Sequence, residues 1–298
     1  MKPEILFNDI PECLNRENVY IRNKDDVLRK IKKIQEDGPE KLQVVTDFDR
    51  TVTKQHVDGK DVLSSFGIFF RSQKIPETLK KEEQSLFNTY RPIEVAHDIV
   101  LEEKIKAMEE WMMKTEQMLK GIQMDVDEID KISQLYSVEL RNNTQELIKK
   151  LDAAGIPVLV FSAGLGDVVQ AILKCHDVLL SNVKVISNFL NFNCGKLDGF
   201  KNDKLIHVFN KNEHSIDQSY YKTIEERSNV ILMGDMTGDA AMADGHKHID
   251  TILKIGFLYD ADLQHAKDSL QSYMEAFDIV LFDDQTMDVI LDIIGKMI

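Results

Sequence analysis

The stretch Lys41-Leu-Gln-Val-Val-Thr-Asp47-Phe-Asp49-Arg-Thr51-Val-Thr53 decides how the rest of the chain is read. Leu42 to Val45 is a short apolar run containing two adjacent valines, which predicts a buried strand. It runs directly into two carboxylates at i and i+2, followed by a hydroxyl. Side chains alternate along an extended chain, so Asp47 and Asp49 face the same side at the strand's carboxyl end. Like charges that close repel unless a cation, a proton or a phosphoryl group stands between them. Carboxylates at the tip of a buried strand also carry a desolvation cost, so the pair points to a metal or to chemistry. A plain strand-to-loop transition uses the same residue types. The two readings separate on what else in the chain converges on this point.

Bulk properties narrow the classes. The chain has 298 residues, one large domain or two modest ones, with ample length for a core. Hydrophobic residues make up 43% and charged residues 30%, as in a soluble globular protein. A net charge of -14 argues against a nucleic-acid polymer or an anionic membrane as partner. An acidic protein that takes a phosphate ester must reverse its field locally, with a divalent cation and a placed lysine. Cys13, Cys175 and Cys194 are widely spaced and odd in number, so no disulfide framework or metal pattern follows and a reducing compartment is expected. The first residues lack a secretory leader's apolar core, and no apolar run approaches the roughly 20 residues of a membrane span. A cytoplasmic monomer is the expectation.

Outward from the key strand, Asp25 to Gln35 carries apolar residues at 27, 28, 31 and 34, an amphipathic helix stopped by Gly38-Pro39. From about 55 to 140 strand signals vanish. Pro76 to Asn88, Leu101 to Leu119 and Val126 to Leu135 have helical composition or spacing. So long a helical block does not suit a sheet whose strands and helices alternate, and it predicts an inserted helical cap over the site. Alternation returns after Asn142: a helix over 144–151, a strand over Pro157–Phe161, a helix over 168–173 and a strand over 183–187. A hairpin over 191–200 turns at Cys194-Gly195, and further strands fall at 230–233, 252–257 and 279–282, with helices over 262–276 and 286–296. The fold class is α/β: a Rossmann-like, mostly parallel sheet covered by helices, formed by 1–54 and 141–298, with 55–140 as the cap. The histidines show no ligand spacing; His246 and His248, beside Gly245, read as loop.

Three predicted buried strands end in polar clusters: Asp47-Phe-Asp49, Ser162-Ala163-Gly164 and Gly234-Asp235-Met-Thr-Gly238-Asp239. Open parallel sheets bind ligands at the carboxyl ends of their strands. The Asp-x-Asp-x-Thr stretch resembles the first motif of the haloacid dehalogenase superfamily of phosphohydrolases. Ser162-Ala-Gly-x-Gly-Asp167, His207-Val-Phe-Asn-Lys211, and Gly234-Asp-x-x-Gly-Asp239 followed by Met242-Ala-Asp-Gly245 resemble the cytosolic pyrimidine 5'-nucleotidases, including relatives that accept 7-methylguanosine monophosphate. The likeness runs from about residue 25 to the C-terminus.

The resemblance implies a Mg²⁺-dependent hydrolase of nucleoside 5'-monophosphates, CMP, UMP or 7-methyl-GMP, able also to pass the phosphoryl group to another nucleoside. Asp47 would be the nucleophile forming an aspartyl-phosphate, and Asp49 the general acid and then base. Asp47, the backbone carbonyl of Asp49, and Asp235 would hold Mg²⁺, with Asp239 orienting waters or Lys211. Ser162 and the Ala163-Gly164 amides would bind phosphoryl oxygens, and Lys211 would neutralise charge; by spacing alone Lys201, Lys204 and Lys211 are equal candidates. Met108, Trp111 and Thr115 share a helix face, which a packed core would also explain. The resemblance places Glu94 and Thr115 against the base, while Phe66, in Ser65-Phe-Gly-Ile-Phe-Phe70, offers an aromatic face. The chain departs from the family pattern at Glu94-Val-Ala-His-Asp98, at Met236-Thr237 and at Arg50, positions that bear on specificity more than on competence. Two rival readings use the same fold: a phosphatase of another small ester, and a non-catalytic phosphate-binding protein.

Overall fold

The computed structural model describes residues 11–96, 98–212, 218–245 and 248–298, without the side chains of 218 and 219. Strand β1 (Val19–Ile21) and helix α1 (Lys24–Asp37) precede the key strand β2 (Leu42–Thr46). A small hairpin, β3 (His56–Val57) and β4 (Lys60–Asp61), leads into helices α2 (Ser65–Phe69), α3 (Glu77–Val95), α4 (Leu101–Leu119) and α5 (Val126–Leu135). Helix α6 (Thr144–Ala153) returns the chain to β5 (Val158–Leu165), α7 (Gly166–Cys175) and β6 (Val183–Asn188). A second hairpin, β7 (Leu190–Asn193) and β8 (Lys196–Phe200), is followed by α8 (Gln218–Ile224), β9 (Asn229–Gly234) and β10 (Thr251–Leu258). Helix α9 (Leu263–Ala276), β11 (Ile279–Phe282) and α10 (Asp288–Ile294) complete the described fold.

Seven strands form one sheet in the order β1-β11-β10-β9-β2-β5-β6. All neighbours are parallel except β1, which runs antiparallel to β11 at the edge. Every residue of β2 and of β9 is buried. That is why both read as near-continuous apolar runs: a parallel strand covered on both faces has no solvent side to alternate with. Val44, Val158, Ile231 and Leu253 pack on one face with Ile31, Leu151, Ile172 and Ile293. Val45, Leu159, Val230 and Leu232 pack on the other with Ile224, Met242 and Phe277. Each such side chain contributes about 1.5–3 kcal/mol on burial. The chain leaves β2 for β5 and β6 on one side, then crosses to β9, β10 and β11 on the other. The tip of β2 therefore lies where the winding reverses, the crevice in which this architecture binds ligands.

The helices between β2 and β5 behave in two ways. Helices α3 and α4 pack against each other, while α2 and α5 pack on α7 beside the sheet. Ile68, Phe69, Leu119, Ile129 and Ile132 belong to the same apolar cluster as one sheet face. The expected stop of α1 is present, with Gly38 at φ +79° beyond the last turn, and the structure adds a start signal, Asn23 Oδ1 accepting the Asp26 amide at 3.1 Å. Cys194 (φ 50°) and Gly195 (φ 76°) supply the left-handed pair that a two-residue hairpin turn requires. Helix α3 and strand β5 run furthest past their expected ends. Helix α3 continues through Pro92 to Val95, because a proline near the last turn removes one bond there without unseating the packed helix. Strand β5 continues through Ser162-Ala163-Gly164 to Leu165, with a register break against β6 after Phe161. His248 sits in a turn, while His246 lies outside the described residues. Among the described residues no helix is long and apolar enough to cross a membrane.

Candidate active site

The turn after β2 is built on Phe48. Its ring is fully buried, and its carbonyl accepts the amides of Thr51, Val52 and Thr53 at 3.2, 2.9 and 3.1 Å. With Phe48 pointing into the core, Asp47 and Asp49 on either side face the cleft, as strand alternation requires. The Asp47 amide donates to Met233 O at 3.0 Å, so the tips of β2 and β9 are tied together. Arg50 adopts φ +66°, a left-handed turn secured by its amide donating to Thr53 Oγ1 at 2.7 Å. Beneath this turn lies Arg141, only 1% exposed. Its guanidinium donates to Thr51 O (2.7 Å), Arg50 O (2.6 Å) and Asp284 O, and stacks on the Phe257 ring 3.8 Å from the centroid. Burial pulls its pKa down to about 9, against the pull of Asp284 and Asp235.

Asp47, Asp235 and Asp239 bring carboxylate oxygens within 4.8 Å of one another. Lys211 is buried among them and donates to Asp47 Oδ1 at 2.5 Å and Asp239 Oδ1 at 2.8 Å. Burial works against the ammonium, but the Asp239 and Asp47 carboxylates outweigh it and raise its pKa, so Lys211 stays charged. Burial raises Asp47 well above the usual carboxylate range; Lys211 opposes this, and Asp239 and Asp235 reinforce it. Asp235 is raised to about 7 by burial and by Asp239, with Arg50, Arg91 and Lys211 pulling the other way. Lys211 hydrogen-bonds two of these three carboxylates, and even with Arg50 and Arg91 nearby Asp47 and Asp235 stay raised, a deficit of positive charge. Oxygen-only donors with that deficit fit a hard divalent cation such as Mg²⁺. Asp239 joins the cluster directly, and its other oxygen accepts the Met236 amide at 3.0 Å. The Asp49 carboxylate stands outside the trio.

Asp49 is held from the helical side. The Ser65 amide donates to Asp49 Oδ1 (2.8 Å) and the Ser65 hydroxyl to Oδ2 (2.7 Å), while Ser65 Oγ accepts the Leu165 amide (3.2 Å). Burial raises the Asp49 pKa and the two Ser65 bonds lower it, with burial dominant. A carboxyl so placed gives up its proton less readily than an exposed one, as a general acid requires. The backbone passes so close here that a Cβ on Gly164 would collide with Ser65 Oγ and lie 2.9 Å from Asp49 Oδ2. Ser162 Oγ accepts the Gly164 amide at 3.0 Å, and Asn188 Nδ2 donates to Ala163 O at 2.9 Å.

One cleft of about 830 Å³ starts at these carboxylates and opens between α2, α3 and α4. All the residues expected from sequence line it: Asp47, Asp49, Asp235, Asp239, Ser162, Ala163, Gly164 and Lys211 at one end, with Phe66, Glu94, Trp111 and Thr115 towards the helices. Lys211 is distinguished from Lys201 and Lys204, which are exposed. Trp111 stacks on Tyr90 (5.8 Å, 14°) and meets Phe87 edge-on. Glu94 pairs with Arg91 one turn earlier, and Arg91 reaches Met236 Sδ at 3.7 Å. His97, in the departing Glu94–Asp98 run, lies outside the described residues. Of the aromatic run, Phe66 and Phe70 line the cleft and Phe69 is core. Ser65, Arg91, Arg141 and His207 were not singled out as site residues by sequence. Only His207 carried a signal, its place in the His207–Lys211 motif.

A parallel sheet reversing at an Asp-x-Asp strand tip, with a buried lysine bridging carboxylates from two other segments, defines a haloacid dehalogenase-like α/β phosphohydrolase. A substrate-bound phosphoserine phosphatase shares this fold at TM-score 0.51 and 20% identity, over 84% of this chain and 96% of that one. The chain belongs to the pyrimidine 5'-nucleotidase (UMPH-1) family, whose model matches residues 50–298, and is a phosphoric monoester hydrolase of the 5'-nucleotidase type. It is 45% identical over 286 residues to the 7-methylguanosine phosphate-specific 5'-nucleotidase of Drosophila melanogaster, covering 95% of this chain and 88% of the relative. The human protein of the same description is 35% identical over 279 residues, covering 93% and 91%. A crystal structure of cytosolic 5'-nucleotidase IIIB bound to cytidine superposes with TM-score 0.91 at 44% identity, covering 97% and 96%. The match of the family model begins one residue past Asp49.

Proposed function

We propose that this chain is a Mg²⁺-dependent, cytoplasmic 5'-nucleotidase that hydrolyses CMP, UMP or 7-methyl-GMP to nucleoside and phosphate through an aspartyl-phosphate on Asp47. The observation that carries this reading is the buried Lys211 bridging Asp47 and Asp239 beside an Asp49 held by Ser65. Uncatalysed monoester hydrolysis is among the slowest known reactions, with enzymatic accelerations up to about 10²¹, so several effects must act at once. Asp47, fixed by Lys211 on Oδ1, attacks phosphorus with its other oxygen; the bond to the 5'-oxygen breaks, and Asp49 delivers its proton there. Asp49, now a carboxylate, takes a proton from water. That water attacks the acyl-phosphate and frees phosphate and Asp47. Ser162 and the amides of the Ala163-Gly164 bulge hold phosphoryl oxygens, and Lys211 balances their charge. Asp47, Asp235, the Asp49 carbonyl and Asp239, directly or by orienting waters, would hold Mg²⁺, which when bound offsets charge on the transferring group.

Residues 55–140 act as the cap that chooses the base, on a core of 1–54 and 141–298. Glu94 and Thr115 meet the base edge, while Trp111 and Phe66 offer aromatic faces. A relative bound to cytidine and relatives named for 7-methylguanosine phosphate support a nucleoside monophosphate as the substrate class. An acyl-phosphate also accepts alcohols, so transfer to a second nucleoside accompanies hydrolysis. The working form is a monomer that binds neither nucleic-acid polymers nor membranes. Phosphate release from CMP, UMP, AMP, GMP, 7-methyl-GMP and phosphoserine, with Mg²⁺ and with EDTA, tests the reading. Metal-dependent release from CMP, UMP or 7-methyl-GMP is expected. Release from phosphoserine alone would move the cap to another small ester, and release unaffected by EDTA would overturn the cation site.

A further inference from the structure

His207 lines the active-site cleft, yet the chemistry above gives it no task. It is 3% exposed and opens a tight turn: its amide donates to Asn210 Oδ1 at 2.8 Å, and its carbonyl accepts the Asn210 amide at 3.1 Å. The same turn ends at Lys211, so the imidazole and the ammonium enter the cleft from one ordered segment. The ring's Nδ1 accepts the Phe209 amide at 3.3 Å. A neutral imidazole with one nitrogen accepting carries its proton on the other, which assigns the hydrogen to Nε2. Burial pushes the His207 pKa down to about 4, with Lys204 adding to the effect, so the ring is neutral at pH 7.

Nε2 is buried and has no hydrogen-bond partner among the described residues. An orphaned buried donor is a standing loss of stability, and folded proteins keep few of them. A merely packed position would be better filled by a phenylalanine. The donor's surroundings indicate what it serves. His207 lines the same cleft as Lys211, Ser162, Ala163 and Gly164. The acceptor expected there is an anionic oxygen. A neutral donor suits a place beside an ammonium already committed to Asp47 and Asp239, since a second cation would repel the first.

We propose that His207 is a phosphate-binding residue whose Nε2–H donates to a non-bridging phosphoryl oxygen of the nucleotide, next to Lys211. This rests on the phosphomonoester reading above. It assigns the site a neutral donor besides the lysine and the serine.

The test uses the full chain with orthophosphate as the probe, comparing wild type, His207→Phe and His207→Gln, whose amide nitrogen can stand where Nε2 stands. Orthophosphate affinity and KM for CMP should weaken roughly ten- to a hundredfold in His207→Phe, the range for losing a hydrogen bond to a charged acceptor. The Gln variant should stay within a few-fold of wild type. His207→Phe should unfold at the same temperature as wild type or higher, because it removes an unsatisfied polar atom. Weaker binding together with undiminished stability is the signature; a packing role moves stability instead. Wild-type phosphate affinity in His207→Phe overturns the proposal. Should that variant not fold, the Nε2–H resonance of ¹⁵N-imidazole-labelled wild type, identified by its absence in His207→Gln, must shift on adding orthophosphate; an unmoved resonance overturns it. If wild type binds orthophosphate through His207 but hydrolyses no nucleoside monophosphate, the nucleotidase reading falls and this inference stands.

Discussion

Asp47 has one oxygen committed to Lys211 and sits where burial and two neighbouring carboxylates disfavour its charge. Asp47→Asn removes the proposed nucleophile and also one of three crowded carboxylates. Phosphate release should fall to background, by at least about 10⁴-fold if covalent catalysis is the route, while thermal unfolding shows no loss of stability. Turnover near wild type would sink the nucleophile assignment. Gly164→Ala makes the opposite separation, since a methyl there displaces Ser65 Oγ and with it the Asp49 carboxylate. Its kcat should drop roughly a hundredfold with KM little changed, the pattern for a group misplaced only in the transition state. The cleft-lining carboxylates, Ser162 and the Gly234–Asp239 cluster were legible because each follows a buried apolar run, a local signal. The Ser65 and Arg141 contacts were not, because they join residues 16 and about 90 positions apart along the chain. No local pattern records such a contact.

Between the elements, Arg141 ties the turn after β2 to the loop after β11 through three carbonyls. Arg141→Met leaves those carbonyls without donors at about 1–3 kcal/mol each, so a loss on the order of 3 kcal/mol is expected on denaturant unfolding. Because the same turn presents Asp49, kcat should fall further than KM rises; an unchanged kcat at lowered stability would show a purely structural arginine. The pairing of α3 with α4 sets the other end of the cleft. There Arg91 engages one oxygen of the Glu94 carboxylate and competes with a base for it. Arg91→Ala frees that carboxylate to accept from an exocyclic amine, and the KM ratio of UMP to CMP should rise roughly threefold to tenfold, as expected for one hydrogen bond gained. An unmoved ratio would remove Glu94 from base recognition. Sequence periodicity found α4 and α5, because amphipathic spacing survives whatever the partner is. It stopped β5 at the edge of the bulge, four residues short of the strand's end, because Ser-Ala-Gly reads as a turn unless the register of β6 is known.

At the scale of the molecule, a chain of net charge -14 gathers Arg50, Arg91 and Lys211 around Asp235 and still leaves that carboxyl with a pKa near 7. The sign of the linkage follows. An unfolded aspartate titrates near 3.9. Between about 4 and 7 the folded state therefore binds more protons at Asp235, and this group's contribution to stability is lost as pH rises through about 7. Asp47 and Asp49, also raised, act in the same direction. His207 acts oppositely: depressed to about 4 from an unfolded value near 6.5, it contributes stability above 6.5 that is lost as pH falls towards 4. A cation bound by the carboxylates reverses the first trend, because it binds their charged form and competes with protons. Ligand at a hundred times its dissociation constant adds about 2.7 kcal/mol to native stability. For a chain of 298 residues that corresponds to roughly 5 °C in the unfolding midpoint. Thermal unfolding from pH 5.5 to 8.5, in Mg²⁺ and in EDTA, should give two curves that lie together at the acid end and separate as pH passes about 7. Asp235→Asn should hold them together throughout, since it removes both the proton site and the cation ligand. A gap that stays constant across this range, or survives in Asp235→Asn, would mean that Mg²⁺ binds elsewhere. The three-carboxylate end of the cleft would then need another source of positive charge to receive a phosphate ester.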